Sequence, residues 1–442
     1  MTAIRATPPG QGQPDPGQLP RLVTPGPPTG LAAHLNRHGP IPALAGPALI
    51  ASIERAGLTG RGGAGFPAAR KMRAVTAAAS RPPGRGRWRG STPVVLANGA
   101  ESEPASGKDT ILLRQSPHLV LDGIALAAQA VGGTNAYLCV AGSQPAGALL
   151  AAVAERQRAG LPGSGVRVVA IPRGYVASEE SALVSYLSGG PAVPRYVPPR
   201  PAERGVGGRP TLVHNVETLA HIALIARYGP DWFAAVGTPG APGSALVTIG
   251  GAVHRPGVYE IALGRPVTEL IGLAGGVTEP AQAVLAGGYF GGWLPLPGAA
   301  DVPVSPSGLR AAGAAFGSGL LTVLPATSCV LAETARILRY LAGQSAGQCG
   351  PCTFGLPAIA DALAQLAWQG RDRRAADWLQ YLLPVVANRG ACHLPDGAVA
   401  VAASAIRSFG QEIEQHVAHG PCANASRPSV LPLPRTAPAG RP

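Results

Sequence analysis

Apolar and mixed segments alternate along residues 92–172, and their lengths predict strands and helices in turn. The first, TPVVLAN, is an apolar run that ends in a polar residue, as a buried strand does. The next four segments predict a helix, a strand, a helix and a strand, at 118–133, 135–142, 145–160 and 166–172. Strands that alternate with helices are typical of a parallel, layered α/β sheet, which we place within residues 46–240.

The pattern changes twice more toward the C-terminal half. Residues 231–244, DWFAAVGTPGAPGS, are rich in Gly and Pro and predict a linker. Short strands, a Gly-rich turn and one short helix follow, which indicates a small α+β module over 245–325. Within residues 328–420, four helical stretches with short connectors predict an antiparallel four-helix bundle.

Both ends of the sequence lack this periodicity. Residues 1–45 are rich in Pro and Gly and predict a disordered lead-in, and residues 421–442 predict a Pro-rich tail. No apolar stretch reaches the roughly 18 residues that a membrane span needs, so we expect no span. The first residues lack a secretory signal, and the six cysteines are unevenly spaced, so we expect a reducing, cytoplasmic location.

The composition narrows the class of function. The net charge is +13, but the arginines are scattered and no nucleic-acid-binding motif accompanies them, so we expect no nucleic-acid partner. Of the 36 basic residues only Lys71 and Lys108 are lysines, and both fall within Gly-rich, polar motifs. Chance is one explanation. The other is that these positions need a compact ammonium, for which a planar guanidinium does not substitute.

Two of these motifs are candidates for ligand binding. TGRGGAGFPAARK (59–71) is a Gly-rich loop before a helical stretch, and such a loop brings backbone N–H groups close to an anion. Its spacing matches neither the P-loop nor the dinucleotide fingerprint, so a purely structural turn is the alternative. NGAESEPASGKD (98–109) follows a strand end, where open α/β sheets bind ligands, although acids on a loop are often only solvated.

Two further motifs, YVASEESALVSYLSGG and RPTLVHNVETLAHI, carry polar groups near predicted helix starts. The side chains that they offer are Tyr175, Glu179, Glu180, Asn215 and Thr218. Acids at a helix start also stabilise the helix dipole without any further role. Neither motif identifies a function by itself.

In this order the four motifs resemble those of a known family. GRGGAGFP, N-x-x-E-x-E-P-x-x-x-K-D, GY-x-x-x-EE-x-AL and RPT-x-x-x-NVETLA are similar to the flavoprotein (51 kDa) subunit of NADH:quinone oxidoreductase, respiratory complex I. Related subunits of NAD-reducing hydrogenases and formate dehydrogenases share the pattern. The resemblance extends through GAVHRPGVYEIALG to CGPC and ACHLPDG, and covers about residues 45–420.

The resemblance implies three folded units. An α/β Rossmann-like FMN-binding domain would come first, over residues 46–240. A small ubiquitin-like β-grasp (SLBB-type) module would follow over 245–325, and an antiparallel four-helix bundle for an iron–sulfur cluster over 328–420.

The same resemblance assigns cofactor sites residue by residue. FMN is expected on the Gly-rich loop, where backbone amides and Lys71 would offset its phosphate charge and Asn98 would bond the isoalloxazine edge. NADH, or NADPH, would stack on the flavin, with the carboxylates orienting its ribose and amide groups. The positions that carry over are Gly62, Gly63, Ala64, Gly65, Phe66, Lys71, Asn98, Glu101, Glu103, Tyr175, Glu179, Glu180, Asn215 and Thr218.

The chain departs from the family at the cluster loop. Where the family has S-C-G-x-C-x-P-C-R, this chain has SAGQCGPCT, with Ala346 in place of a cysteine. The resemblance then leaves three ligands, for a [4Fe-4S] or a [3Fe-4S] cluster: Cys349, Cys352 and Cys392. Inert thiols in a degenerate site, or zinc bound with the help of His393, are the alternatives.

Two other cysteines flank the predicted bundle. At 1.5 Å per helical residue, Cys329 would lie roughly 20 Å, and Cys422 about 30 Å or more, from the cluster end of the bundle. We therefore expect neither of them to supply the missing fourth ligand, although a flexible tail after Gly420 could fold back.

The dinucleotide site departs from the family as well. Arg200 stands where the family has Phe, and Ala74 lies in a stretch that is aromatic in the family, so only Phe66 remains of three stacking rings. Stacking contributes roughly 1–3 kcal/mol per ring in nucleic-acid complexes, so we expect weak NADH binding unless Arg200 stacks or contacts a phosphate. Gly99–Ala100 and His214 also replace the usual residues beside the flavin.

The sequence thus favours an NADH dehydrogenase-type flavo-iron–sulfur oxidoreductase, acting as a subunit. Electrons from NAD(P)H would pass through FMN and the cluster to a partner subunit or a ferredoxin-like protein. The altered stacking residues and Ala346 support a second hypothesis. In that hypothesis the chain is a non-catalytic relative, a flavin-binding or scaffold subunit with impaired dinucleotide turnover.

Overall fold

The computed structural model describes residues 15, 17–23, 26, 30–81, 92–142 and 144–434 of the 442. They fold into an α/β domain, a β-grasp module and a helical bundle, which follow one another along the chain. Among these residues no helix is both long and apolar enough to cross a membrane.

The α/β domain is built on a four-stranded sheet. Its elements are α1 (Leu31–His38), α2 (Gly46–Arg55), α3 (Ala68–Ala79), β1 (Val94–Gly99), α4 (Lys108–Gln115), α5 (Pro117–Val131), β2 (Asn135–Ala141), α6 (Gln144–Arg158), β3 (Val166–Ile171), α7 (Glu180–Leu187), β4 (Thr211–Asn215) and α8 (Val216–Tyr228). The strands lie in the order β3, β2, β1, β4, and all neighbours are parallel, as the alternation of strands and helices predicts. After β3 the chain returns to place β4 on the far side of β1. The carboxyl ends of β1 and β4 therefore form a topological switch point, where open α/β sheets bind ligands.

Helix α5 shows why these segments fold as the pattern predicts. It begins at Pro117, whose missing N–H costs nothing in the first turn, and ends before Gly132, which adopts a left-handed φ of 70°. Its side chains are apolar and buried around almost the whole circumference, because the helix packs against α8 as well as against the sheet.

Asp122 is the buried centre of this helical layer. Its side chain on α5 is 1% exposed, lies 2.7 Å from Nε2 of His34 on α1, and accepts hydrogen bonds from Arg156 on α6 and Arg227 on α8. Burial opposes the charge of this carboxylate, but the three partners outweigh burial and lower the pKa of Asp122 to about 2. Four helices are thus tied to one ionised side chain.

The segment predicted to be a Gly/Pro linker is ordered. Helix α9 (Pro230–Ala234) and a short hairpin of β5 (Gly237–Thr238) and β6 (Ala241–Pro242) occupy it. Trp232 and Phe233 are 5% and 0% exposed, because they pack into the core of the α/β domain. The linker prediction was wrong because it weighed the Gly and Pro content above these two aromatic anchors.

The β-grasp module is a mixed five-stranded sheet with two short helices. Its elements are β7 (Ser244–Gly251), β8 (Gly257–Ala262), α10 (Val267–Leu273), β9 (Ala281–Ala286), β10 (Gly292–Pro295), α11 (Pro306–Ala311) and β11 (Leu320–Pro325). The strand order is β10, β9, β11, β7, β8, in which β11 and β7 are parallel and the other neighbours antiparallel. The small α+β module is therefore confirmed.

The helical bundle contains five helices where the pattern predicts four. They are α12 (Val330–Gly343), α13 (Leu356–Trp368), α14 (Arg373–Val386), α15 (Leu394–Ser408) and α16 (Gly410–His419). The last predicted helix breaks at Phe409, whose φ of −131° and ψ of 35° lie outside the helical region. Helix α16 therefore turns and packs against both α13 and α15.

Part of the predicted lead-in is folded. Helix α1 lies within it, and Leu22 and Val23 are 1% and 4% exposed. The backbone N–H groups of Arg21 and Leu22 both donate to Glu260 Oε2 on β8, at 2.7 Å. So short a buried segment has no periodicity for a pattern to detect. Parts of this prediction, at residues 1–14, 16, 24–25 and 27–29, lie outside the described residues.

Residues 421–434, which the composition assigns to a Pro-rich tail, pack along the bundle, and we name them the C-terminal segment. Leu431 is 3% exposed. The indole N–H of Trp368 donates to the carbonyl of Ala425, and the hydroxyl of Tyr289 donates to the carbonyl of Pro432, both at 3.0 Å. Residues 435–442 lie outside the described part of the chain.

Candidate functional site

The Gly-rich loop before α3 lies over the carboxyl end of β4. The backbone N–H of Arg61 donates to Thr218 Oγ1 at 2.9 Å, and a Cβ on Gly62 would stand only 3.2 Å from Asn215 Cβ. Gly65 has a φ of 63°, and a Cβ there would meet no atom within 4 Å. The loop is thus pressed against the sheet on one side and faces open space on the other, as a ligand cradle requires.

Asn98 and Asn215 mark the switch point. They are neighbours in the register of β1 and β4, at the end of each strand. Nδ2 of Asn215 donates to the carbonyl of Asn98 at 3.2 Å and to Asp109 at 2.7 Å. Nδ2 of Asn98 donates to the carbonyl of Ser178 at 2.9 Å, and its Oδ1 accepts the N–H of Ala100. Since an amide has two N–H donors and two acceptor lone pairs, Asn98 keeps one of each for a ligand.

Lys108 lies beneath this site. It is 3% exposed, and its ammonium donates to Asp109 at 2.7 Å, to Glu217 at 2.9 Å and to Asn215 at 3.3 Å. Burial alone would lower the pKa of Lys108, but the two carboxylates outweigh it and raise the pKa above its usual value. The compact ammonium at this position therefore has a structural task, which is to hold α4 to α8.

Asp109 and Glu217 support the site, and the sequence reasoning missed both. Burial opposes the charge of Glu217, but Lys108, His221 and Arg61 outweigh burial and lower its pKa to about 2. Burial raises the pKa of Asp109 to about 6 in spite of the adjacent ammonium. Their positions in the sequence could have identified them, since Asp109 adjoins Lys108 and Glu217 adjoins Thr218.

Lys71 is the lysine that reaches the loop. It lies in the first turn of α3, and its ammonium donates to Glu180 Oε2 at 2.6 Å and to the carbonyl of Val213 at 3.2 Å. The two side chains are 26% and 37% exposed. Because both are partly open to water, an anion placed on the loop can share the ammonium with Glu180.

Glu101 and Glu179 act as helix caps. Glu101 accepts two backbone N–H groups at the start of α4, at 3.1 and 3.2 Å, and Glu179 accepts two at the start of α7, at 2.8 and 3.1 Å. These bonds satisfy donors that have no partner inside their helices. Contact between these carboxylates and a dinucleotide stays a prediction.

Glu103 joins the three folded units. Its Oε2 accepts the hydroxyl of Tyr175 at 3.0 Å and the backbone N–H of Tyr289, in the β-grasp module, at 2.9 Å. The N–H of Tyr175 donates to Gln344, at the end of α12, at 2.9 Å. Burial raises the pKa of Glu103 to about 7, although these hydrogen bonds favour its charged form. Its Oε1 is buried and has no hydrogen-bond partner among the described residues.

A cavity of about 260 Å³ opens at the carboxyl ends of β1, β2 and β3. Glu101, Ser102 and Arg173 line it from the α/β domain. Tyr340 of α12 and Pro434 of the C-terminal segment line it from the other side. The bundle therefore supplies one wall of a cavity that belongs to the α/β domain.

Three cysteines lie together beyond the C-terminal end of α12. Cys349 and Cys352 lie at a π-helical turn, and Cys392 lies just before α15. Burial, and then the neighbouring thiols of Cys349 and Cys392, raise the pKa of Cys352 to about 12. Burial also raises the pKa of Cys392, and the Glu179 carboxylate adds to the rise. Backbone N–H groups outweigh burial at Cys349 and lower the pKa of its thiol.

Comparison with known proteins identifies the family. Residues 53–224 match the Nuo51 FMN-binding domain, residues 246–289 the SLBB domain, and residues 332–416 the NADH-ubiquinone oxidoreductase-F iron-sulfur binding region. An NADH-quinone oxidoreductase subunit of Mycobacterium bovis is 33% identical over 409 residues, which cover 87% of this chain and 87% of that protein. The chain belongs to the family of flavoprotein subunits of NADH-quinone oxidoreductase.

Other members and a solved structure agree with this assignment. The corresponding NADH-quinone oxidoreductase subunit of Rhizobium meliloti is 30% identical over 395 residues, which cover 85% of this chain and 90% of that protein. The crystal structure of an NAD+-reducing [NiFe]-hydrogenase in the H2-reduced state matches with a TM-score of 0.75 at 30% identity. That match covers 84% of this chain but only 63% of the hydrogenase chain. The resemblance and the order of the three units inferred from the motifs are confirmed.

The α/β domain of this family binds FMN, and the cradle in this chain fits that cofactor. Open space at Gly65, the partly exposed ammonium of Lys71 and the remaining hydrogen-bonding capacity of Asn98 suit an anionic phosphate and a polar ring edge. Together with its iron–sulfur region, this makes the chain a flavo-iron–sulfur electron-transfer subunit.

The cysteine site fits a cluster better than a single ion. Among the described residues, Cys349, Cys352 and Cys392 do not form a group whose three sulfurs all lie within 4.8 Å of one another, so at least two of these sulfurs are farther apart than that. In the described part of the chain, His393 does not join any two of these cysteines in such a group; it is 92% exposed, and its Nδ1 pairs with Asp396. Three cysteines, with at least one pair this far apart, suit an iron–sulfur cluster.

The aromatic surface differs from the family pattern. Phe66 is 39% exposed, with the guanidinium of Arg70 5.4 Å from its ring centre. Arg200 is exposed. Tyr196, four residues earlier and 78% exposed, is a ring that the sequence reasoning did not single out, although its place beside VPP was visible.

Proposed function

We propose that this chain oxidises NAD(P)H at FMN held on the Gly-rich loop. Cys349, Cys352 and Cys392 would hold an iron–sulfur cluster, which would supply a one-electron route to a partner subunit or a ferredoxin-like protein. When bound, FMN takes up the two electrons of a hydride, and FMN and the cluster together deliver them one at a time.

One observation carries the proposal: of two consecutive residues, one lies beside the Gly-rich loop and the other acts on a cysteine of the proposed cluster site. Glu180 accepts the hydrogen bond of Lys71 beside the Gly-rich loop. Glu179 lies close enough to Cys392 to act on the pKa of that thiol. The start of α7 thus lies between the flavin cradle and the cluster cysteines. Transfer of single electrons needs such closeness, because it weakens steeply with distance.

The residues of this chain have distinct tasks in the proposal. Lys71 and the loop N–H groups hold the phosphate, and Asn98 orients the ring edge. Glu101 and Glu179 keep α4 and α7 in place, so that the loops before these helices stay fixed. Tyr340 and the C-terminal segment restrict the access of water to the cavity, which strengthens the electrostatic interactions inside it.

The electron acceptor is inferred from the relatives. Those from Mycobacterium bovis and Rhizobium meliloti are subunits of NADH-quinone oxidoreductases. We infer that this chain likewise hands electrons to a neighbouring protein that carries them onward. Quinone reduction is assigned to that assembly, and the oxidation of NAD(P)H is assigned to this chain.

Flavin binding is tested by replacing Lys71. Titration of FMN into Lys71→Ala, followed by quenching of flavin fluorescence, is expected to show at least about tenfold weaker binding than the wild type, because a charge-assisted bond of roughly 1.5–3 kcal/mol is lost. Arg73→Ala is the matched control, since Arg73 lies on the same helix and pairs with Glu54 in solvent. A wild-type chain that quenches no flavin, or equal weakening in both variants, contradicts the proposal.

The second candidate function, a scaffold that holds flavin without turnover, is favoured by Ala346 and by the arginine at position 200. The visible absorption spectrum of anaerobically purified protein, before and after NADH or NADPH, separates the two. Bleaching of the flavin band and of a broad iron–sulfur band supports the oxidoreductase. A flavin band that neither dinucleotide bleaches supports the scaffold.

A further inference from the structure

A second group of metal-ligating side chains lies at the N-terminal end of α12, the opposite end from Cys349. Cys329 precedes α12, Glu412 and His416 lie on α16, and Cys422 lies in the C-terminal segment. One ligand atom from each of these four residues stands within 4.8 Å of all the others. In the part of the chain that the structure describes, this is the only group with that property.

His416 is oriented as metal-binding histidines are. Its side chain is fully buried, and Nδ1 donates to the carbonyl of Leu366 at 2.9 Å. That bond places the proton on Nδ1 and leaves the lone pair of Nε2 on the side of Cys329 Sγ, 3.9 Å away. A second hydrogen bond of this kind fixes the tautomer and the ring of a ligating histidine. Nε2 also accepts the backbone N–H of Cys422 at 3.2 Å, a bond that a metal would replace.

Cys329 holds its sulfur at the start of α12. It is the residue before the first turn of α12, and its Sγ accepts the backbone N–H of Ala332 at 3.3 Å. Burial, and then the neighbouring Glu412 carboxylate, raise the pKa of the Cys329 thiol, so it gives up its proton only as a cation binds. The Cys329 side chain is 2% exposed, and the Glu412 carboxylate lies beside it.

We propose that Cys329, Glu412, His416 and Cys422 bind one Zn²⁺ ion. Two sulfurs, one imidazole nitrogen and one carboxylate oxygen are ligands that zinc accepts in a tetrahedral site. Four ligands from the protein fill the tetrahedron, so the site is structural. A cleft of about 650 Å³, lined by Glu412, Cys422 and Arg407 among others, gives the ion a path from solvent.

This zinc site is separate from the iron–sulfur site. The 14 residues of α12 place about 21 Å between the two ends of that helix. Cys329 and Cys422 therefore serve one end of the bundle, and Cys349, Cys352 and Cys392 serve the other. The zinc site does not depend on the flavin chemistry, and its test needs no activity.

The ion would fasten the C-terminal segment to the rest of the bundle. Beyond Cys422, Glu333 on α12 accepts the hydroxyl of Ser429 at 2.7 Å and the N–H of Val430 at 3.2 Å. The segment then reaches Pro434, which lines the cavity of the α/β domain. One zinc ion at the far end of the bundle thus helps to hold a wall of that cavity in place.

Metal analysis of the full chain tests the proposal. Protein purified under reducing conditions without chelators is expected to contain about one zinc per chain, as a filled tetrahedral site requires. In Cys422→Ser and in His416→Gln, zinc should be held at least about tenfold less tightly against a chelator. Cobalt bound in place of zinc should show thiolate-to-cobalt charge-transfer absorption in the wild type, and Cys422→Ser should lose part of it.

Two controls separate this site from the other cysteines. Cys139→Ser replaces a buried thiol on β2 and should keep the zinc, and Cys392→Ser should lose iron and keep zinc. Because His416 is buried and a variant there risks misfolding, the partly exposed Cys422 provides the decisive variant. The proposal is overturned by a wild type without stoichiometric zinc or cobalt absorption. It is equally overturned by a disulfide between Cys329 and Cys422 in reduced preparations, or by zinc that disappears with Cys392 and not with Cys422.

Discussion

Replacement of Glu103 by Gln should change how the stability of the protein depends on pH. The carboxyl group is 8% exposed, accepts hydrogen bonds from Tyr175 and Tyr289, and has one oxygen without a partner among the described residues. Burial raises the pKa of Glu103 to about 7, against the opposing effect of hydrogen bonds from Tyr289, Tyr175 and the backbone of Ala105. Gln has nearly the same shape as Glu but does not titrate. The difference between the wild type and Glu103→Gln therefore measures how protonation of Glu103 affects stability.

The direction and size of the effect follow from linkage. The folded state holds the proton up to about pH 7, whereas an unfolded chain releases it near the ordinary value of 4.5. The stabilisation that the Glu103 proton gives to the folded state is therefore fully present below pH 4.5 and is lost as the pH rises through 7. At about 1.4 kcal/mol for each pKa unit, the wild type loses about 3 kcal/mol relative to Glu103→Gln over that range.

The assay is urea unfolding of the wild type and of Glu103→Gln between about pH 5 and pH 8, compared as a difference. A difference in the free energy of unfolding that does not depend on pH is expected as well. The N–H2 group of Gln would lie where Oε1 has no partner, and a buried donor without a partner costs about 1–3 kcal/mol. Infrared difference spectra of the two proteins should show a protonated carboxyl band that disappears near pH 7.

Glu414→Gln is the control, since Glu414 is an exposed carboxylate that pairs with Arg373, and this pairing lowers the pKa of Glu414. It should leave the pH dependence near neutrality unchanged. The reasoning is refuted if wild type and Glu103→Gln show parallel stability curves from pH 5 to pH 8, about the range over which the linkage acts.

Three more outcomes are expected. Asp122→Asn should lower the free energy of unfolding by about 3–5 kcal/mol, because two arginines lose a buried counter-charge; Glu54→Gln, at an exposed ion pair, is its control, and equal effects would contradict the assignment. Arg200→Phe should tighten NADH binding by restoring a stacking ring, about fivefold or more for roughly 1 kcal/mol. Stopped-flow titration with NADH and NADPH measures this. Tight and fast NADH binding by the wild type would show that the missing ring does not weaken binding. Cys392→Ala should abolish the cluster, as iron content and EPR after anaerobic reconstitution will report, and full iron retention would exclude this thiol as a ligand.

Sequence reasoning located the site better than it described its contacts. Asn98 was recognisable because it follows a predicted strand, and Asn215 was assigned from the family resemblance; the structure places the two side by side at the ends of neighbouring strands. The capping bonds of Glu101 and Glu179 could not be foreseen. Whether a carboxylate turns toward a helix start or toward a ligand depends on a loop path that residue spacing does not specify.

The second group of ligands was hidden by a helix break. Helix lengths place both Cys329 and Cys422 at the end of the bundle opposite the cluster, but a continuous last helix ends about 10 Å beyond Cys329. The break at Phe409 and the return of the C-terminal segment bring the two cysteines together. Neither the break nor the return of the segment produces a hydrophobic periodicity in the sequence. The segment is rich in Pro, so its composition predicts a tail, although Leu431 is buried.

The contacts of Glu103 also set the time at which folding can finish. Tyr289 follows Glu103 by 186 positions, and Pro432 follows Tyr289 by 143. Ribosomes add roughly 5–20 residues per second, so Glu103 emerges roughly 15 to 60 seconds before Pro432, the last of these partners. During that interval the Glu103 carboxyl group is hydrated and the cavity lacks the wall made by Tyr340 and Pro434. The wall that Pro434 completes is therefore the last part of the cavity to form.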